Sequence, residues 1–213
     1  MSRATREGTS PVALAYTNRH GDTYYLHEGR TKTGKPRYFA ARSAGEGARA
    51  TMPDGFEFTE SINAVVSVAR KGRDPAVVPA ADLELVATEL ARHDHLWAHK
   101  VAPLRGAIVV YQPLGSSELA ASSILGRSLW KGKDDTPAYR QRLAEARAQV
   151  HARGQFDPVF RFAPIPDADG IHLASRMSYR GRGGWLDLRA GLLARLAREY
   201  IKLIGTDELF EHF

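Results

Sequence analysis

The sequence predicts an α+β protein: a small N-terminal antiparallel β-sheet followed by a mixed α/β module with a long C-terminal helix. Three observations lead there. Residues from Thr23 to Ala69 are rich in aromatic and β-branched side chains, interrupted by Gly- and Pro-containing turns. Lys71-Gly72-Arg73-Asp74-Pro75 then punctuates the chain, and beyond it helical spacings alternate with short apolar runs. The composition, 43% apolar and 25% charged over 213 residues, is that of a globular protein rather than a disordered or collagen-like one. The expected organisation is a flexible tail at 1–11, an antiparallel β-sheet module at 12–73 and an α+β module at 74–213.

In the first module, Thr23-Tyr24-Tyr25-Leu26-His27-Glu28 and Arg37-Tyr38-Phe39-Ala40-Ala41-Arg42 read as a β-hairpin across the turn Thr31-Lys32-Thr33-Gly34-Lys35-Pro36. Pro36 falls where a strand starts and a missing N–H costs least. Met52-Pro53-Asp54-Gly55 is a turn signal, and Phe56-Glu57-Phe58-Thr59-Glu60 alternates with period two. Val65-Val66-Ser67-Val68-Ala69 returns it, giving a sheet of about four strands. In the second module Leu83, Val86, Leu90 and Trp97 predict a helix from Ala80 to Ala98. Gly106 to Tyr111 reads as a buried strand, and Ser116 to Leu125 as a short helix. Thr136 as N-cap and Pro137 at the first helical position open another helix that runs to Ala152 and stops at Gly154. Pro158–Ala163 and Ile171–Tyr179 predict a hairpin. Leu188 to Ile204 predicts the long last helix, with Gly205 as its stop.

The chain has no cysteine, which excludes disulfides, thiolate metal sites and cysteine nucleophiles. The N-terminal residues lack the apolar core of a signal peptide, and no window approaches the roughly 18 apolar residues of a membrane span. The expected setting is the cytoplasm, with no membrane partner. Net charge is +6. Residues 1–73 carry 12 Lys/Arg against 7 Asp/Glu, whereas the rest of the chain is nearly balanced at 18 against 17. A basic surplus confined to the first third suits a polyanionic partner, either nucleic acid or an acidic protein. It equally suits a solvated basic face.

Arg30, Lys32, Lys35, Arg37 and Arg42 cluster on the hairpin among Tyr25, Tyr38 and Phe39. Cations meet phosphates and aromatic rings stack on bases, so this mixture is a candidate nucleic-acid surface. The competing reading has the rings filling the sheet's core and the charges solubilising its turn. Arg176, Arg180 and Arg182, in a Gly-rich strand-to-helix segment ending at Trp185, are candidates to extend that surface or hold an anion. The run matches neither a Walker A loop nor a dinucleotide fingerprint. His95 and His99, spaced i and i+4 on the expected helix with His93 and Asp94 beside them, are candidate metal ligands. Leu96 stands where a zincin motif has its glutamate, and a helix end rich in histidine also suits the helix dipole. No complete catalytic constellation is visible, and no cofactor is called for.

The hairpin alone is similar to the three-stranded DNA-binding arm module of tyrosine recombinases. Taken more widely, four segments carry a second likeness: Tyr24-Tyr25-Leu26-His27, Thr31 to Phe39 (TKTGKPRYF), Pro53-Asp54-Gly55-Phe56-Glu57, and Arg176-Met177-Ser178-Tyr179-Arg180-Gly181 with Trp185. Together they resemble a group of uncharacterised bacterial proteins with a YYLH…TKTGKPRYF hairpin, a P-x-G-[FY]-E strand and a C-terminal R-M-x-Y-x-G…W segment. That resemblance implies a bacterial cytoplasmic protein and carries neither an activity nor a functional residue. The functional expectation is therefore a nucleic-acid-binding or accessory protein. A metal-dependent hydrolase or phosphoesterase at the histidines, or a non-catalytic interaction subunit, are the alternatives.

Overall fold

The computed structural model describes residues 12–72, 77–117, 120–121, 136–178 and 184–211. The chain is α+β, with every described strand pairing antiparallel, and it divides into two compact units, Met1–Arg73 and Asp74–Phe213. The expected tail, residues 73–75 of the expected linker Lys71–Pro75 and most of the expected Ser116–Leu125 helix lie outside the described residues.

The first unit holds a three-stranded sheet in the order β1-β2-β3 (Ala15–Thr17, Thr23–Arg30, Pro36–Ala41) and a separate hairpin of β4 (Phe56–Glu60) and β5 (Val66–Arg70). Instead of one sheet of about four strands there are two small ones: the short β1 takes the edge of β2, and β4 and β5 pair with each other. β1 covers only Thr23–Tyr25. Farther along the same edge, Glu28 N–H donates to the Gly47 carbonyl and Arg49 N–H to the Leu26 carbonyl, each at 2.9 Å. Gly47 has φ +84°, and a Cβ there would sit 2.9 Å from the Glu28 carbonyl oxygen, so only glycine lets the segment approach. Tyr16 packs on Phe58 (ring centroids 5.2 Å) and Tyr38 edge-on against Phe56 (4.9 Å). The buried Asn18 amide donates to the Ala64 carbonyl at 2.8 Å while its Oδ1 accepts from His20 and Asp22 N–H. These contacts join the two sheets around Leu26 and Val66, both buried.

The second unit is a five-stranded meander, β6 (Lys100–Leu104), β7 (Ala107–Pro113), β8 (Phe156–Pro164), β9 (Ile171–Met177) and β10 (Trp185–Leu192), in the order β10-β9-β8-β7-β6. Helix α1 (Ala80–Ala91) precedes it, α2 (Pro137–Arg153) lies between β7 and β8, and α3 (Leu193–Tyr200) and α4 (Glu208–Glu211) follow it. Alternation along the strands sends Ile108, Val110, Phe160, Phe162 and Ala174 into one core with Val86 and Leu90 of α1 and Leu196, Ala197 and Tyr200 of α3. The α2 ends behave as their residues dictate: Thr136 Oγ1 accepts from Tyr139 N–H at 3.2 Å, and Gly154 follows the last turn. A Cβ at Gly154 would stand 2.7 Å from the Val150 carbonyl oxygen.

Two helices are shorter than their periodicity suggests. The long C-terminal helix is replaced by β10, the eight-residue α3 and a 3-10 turn at Ile201–Leu203. Residues 185–192 pair with β9, which satisfies their backbone across the sheet, and Gly191 weakens any helix there. Helix α1 stops at Ala91, because His93 adopts an extended backbone before a 3-10 turn at Asp94–Leu96. No described helix is long and apolar enough to cross a membrane.

Candidate functional site

The tip of the β2–β3 hairpin is a closed, hydrogen-bonded turn. Thr31 N–H donates to the Lys35 carbonyl and Gly34 N–H to the Thr31 carbonyl, both at 2.9 Å, while Lys35 N–H donates to Thr31 Oγ1 at 3.1 Å. Gly34 supplies the positive φ of 78° that the turn needs. Arg30 and Pro36 are the last paired residues, so Lys32 and Lys35 emerge from the turn itself. Alternation puts Arg37 on the face that carries Tyr25, His27 and Phe39, and Arg30 on the face of Leu26, Glu28 and Tyr38.

Three of the described cations of this unit are paired with carboxylates. Arg19 is held by Glu60 at 3.0 Å, Arg49 by Glu28, and Arg42 by Asp22 at 3.2 Å with its guanidinium over the Tyr24 ring. Arg30, Lys32, Lys35 and Arg37 are exposed, and none has a carboxylate partner among the described residues. Of the five hairpin cations, Arg42 is therefore the one paired with a carboxylate among the described residues.

The aromatic residues separate in the same way. Tyr38 is half-buried with its ring edge-on against Phe56. Its neighbour Phe39 is 37% exposed, lies stacked on His27 at 5.4 Å, and has the Arg37 guanidinium 6.0 Å from its centroid. His27 is fixed beneath it by donating from Nε2 to the Ser43 carbonyl at 2.8 Å. Tyr25 shares this face and is half-buried. An open groove of about 570 Å3 adjoins the hairpin, with Arg30 and Arg49 on its walls.

Of the other candidates, Arg176 and the histidine pair are placed differently from what the sequence suggested. Arg176 is buried in the second unit, its guanidinium 4.9 Å from the Phe210 ring, because its strand register aims it to the core side with Phe160. It is not a surface phosphate ligand. Arg180 and Arg182 lie outside the described residues. His95 and His99 do not share a helix, since α1 ends before them. His95 Nε2 donates to the Ile204 carbonyl at 3.2 Å, and His93 Nε2 lies 3.7 Å from Glu89. Among the described residues no group of three His, Asp or Glu side chains can hold a metal ion. His99 Nδ1 is sealed from solvent, and burial lowers its pKa to about 4, against a raising contribution from the Leu96 backbone. His151 beside it is also lowered, by burial and by the Lys100 charge.

One polar arrangement has no local sequence signature. Arg161, Ser175 and Asp187 stand side by side on β8, β9 and β10, on the face opposite the apolar core. Strand pairing alone gathers them. No protein-family model, curated protein or solved structure matches this chain.

Proposed function

We propose that the β2–β3 hairpin is a nucleic-acid-binding surface, with Arg30, Lys32, Lys35 and Arg37 meeting phosphates and Phe39 offering a ring to bases. The observation that carries this reading is the division among the cations. Arg19, Arg42 and Arg49 are each paired with a carboxylate, whereas the four cations of the hairpin end are left without one beside an exposed aromatic ring. Like charges gathered on a rigid turn repel one another, and a polyanion relieves that repulsion while releasing its own counterions. A two-stranded ribbon also has the dimensions to enter a major groove, and an exposed ring stacks on unpaired bases.

Fluorescence anisotropy of labelled duplex DNA, single-stranded DNA and RNA against salt tests the reading. Four phosphate contacts predict an affinity that falls roughly 150-fold between about 50 and 200 mM salt. Replacing Lys32, Lys35 and Arg37 with alanine leaves about one contact and a roughly fourfold fall over the same range. Phe39→Ala weakens single strands more than duplex when stacking contributes. No binding at low salt, or an unchanged slope in the folded triple variant, removes the assignment.

A further inference from the structure

We infer that the second unit carries a binding site for a small organic anion, a carboxylate or phosphate attached to one flat ring, on the sheet face opposite its apolar core. This site does not depend on the hairpin reading. It is built on a single rung of the sheet, since Ala102, Val109, Arg161, Ser175 and Asp187 are consecutive cross-strand partners. Ser175 is fully buried. Its hydroxyl accepts from Arg161 Nε at 3.3 Å and donates to Asp187 Oδ1 at 2.8 Å, while Arg161 Nη2 lies 3.8 Å from the same carboxylate oxygen. The Trp185 indole completes the clamp, with the guanidinium 4.7 Å from its centroid. Arg161 is thus held on one edge by two side chains and on one face by a ring. Its Nε–H is committed to Ser175 and Nη2 is in ion-pair range of Asp187, which leaves further N–H donors of the five for a ligand.

Beside it is a cavity of about 330 Å3, lined by Arg161, Trp185, Val109, Ala163 and the turn between β6 and β7. That is the lower end of the roughly 300–1,000 Å3 range of small-molecule pockets and admits a single ring system with its head group. Gly106, Ala107 and Ala163 give part of its lining small side chains or none. The turn brings a second cation. Arg105 also lines the cavity and has no carboxylate partner among the described residues. Its φ of 51°, followed by Gly106 at 79°, is a conformation that asparagine or glycine adopts readily and arginine rarely does. A strained residue at the mouth of a cavity is a feature that functional sites retain.

Two guanidinium groups against one carboxylate leave the site net positive, which selects an anion. Leu104, Val109, Pro164 and the indole supply the apolar surface that selects a flat body. Two classes share this chemistry, a nucleoside monophosphate and an aromatic carboxylate.

The full chain, labelled with 15N, is titrated with AMP and with indole-3-acetate while the indole N–H of Trp185 is followed, its signal assigned with Trp185→Phe. Adenosine and indole-3-acetamide are the uncharged counterparts. The expected result is a saturable shift with at least one anion, at least tenfold tighter than its uncharged counterpart, and the preferred anion names the class. Arg161→Gln and Arg105→Ala each weaken it at least tenfold, the loss expected for a charge-assisted contact. Arg105 is exposed on a turn, so Arg105→Ala decides the matter even when Arg161→Gln perturbs the sheet. The absence of a saturable shift with both anions at millimolar concentration overturns the proposal. So does equal binding of charged and uncharged probes, or an affinity that Arg105→Ala leaves unchanged.

Discussion

Replacing Phe160 with alanine is expected to destabilise the second unit by about 3–5 kcal/mol. Phe160 is fully buried on β8, the central strand of the five. Its ring lies 5.2 Å from that of Phe162 and is stacked on Tyr200 of α3 at 5.6 Å. Strands are paired on both sides of it, so the backbone cannot collapse into the space a truncated side chain leaves. Tryptophan fluorescence is the natural readout, because Trp97, Trp130 and Trp185 all belong to the second unit. The expected loss corresponds to a melting temperature lower by roughly 10–20 °C. Phe39→Ala on the exposed hairpin is the comparison, expected to cost well under the Phe160 value and to leave that transition in place. A Phe160→Ala variant that melts within a degree or two of the parent chain contradicts the placement of the core on this strand.

Acidification is expected to weaken the second unit before the carboxylates titrate, through His99. Its folded pKa of about 4 lies below the ordinary value of 6.5, so between those values the unfolded chain holds a proton that the folded chain refuses. Stability from this residue is therefore fully present above pH 6.5, falls as pH falls through the window, and is gone below about 4. The upper bound of the loss is about 3 kcal/mol. The lowered His151 acts in the same direction. Urea unfolding at intervals between pH 7.5 and 4.5 (roughly the span of the linkage window), run in parallel on His99→Gln, isolates the contribution, since carboxylate protonation is common to both proteins. The parent should lose stability more steeply than the variant. Parallel pH profiles remove His99 as the cause.

Local chemistry made much of this fold legible. Thr136-Pro137 start a helix because a hydroxyl caps a free N–H and proline has none to satisfy, and Gly154 ends it. The Thr31–Pro36 turn and the alternation of Phe56 and Phe58 are readable for similar reasons, since turn geometry and side-chain period act over a few residues. The basic aromatic hairpin was visible on the same grounds. Which of its residues face solvent was not. Tyr38 and Phe39 are adjacent and chemically alike, yet one packs on Phe56 and the other lies exposed over His27.

Where partners come from distant segments, the one-dimensional pattern misleads. Leu188 to Leu192 runs on from the helical period of α3, but an available edge on β9 outweighs that propensity. The three-residue β1 and the Pro-containing β6 are too short or too irregular to announce themselves. His95 and His99 are four apart in sequence, and only the end of α1 at Ala91 separates their directions. Arg176 has the composition of a surface cation but the register of a core residue. Arg161, Ser175 and Asp187 have no mutual spacing at all and meet because three strands pair in one register. Composition, caps and turns thus determined the fold class, the hairpin and its charge. Tertiary pairing decided which cations are neutralised, which ring is offered to solvent and which polar groups form a site, because each of those outcomes depends on contacts between segments whose pairing no local pattern encodes.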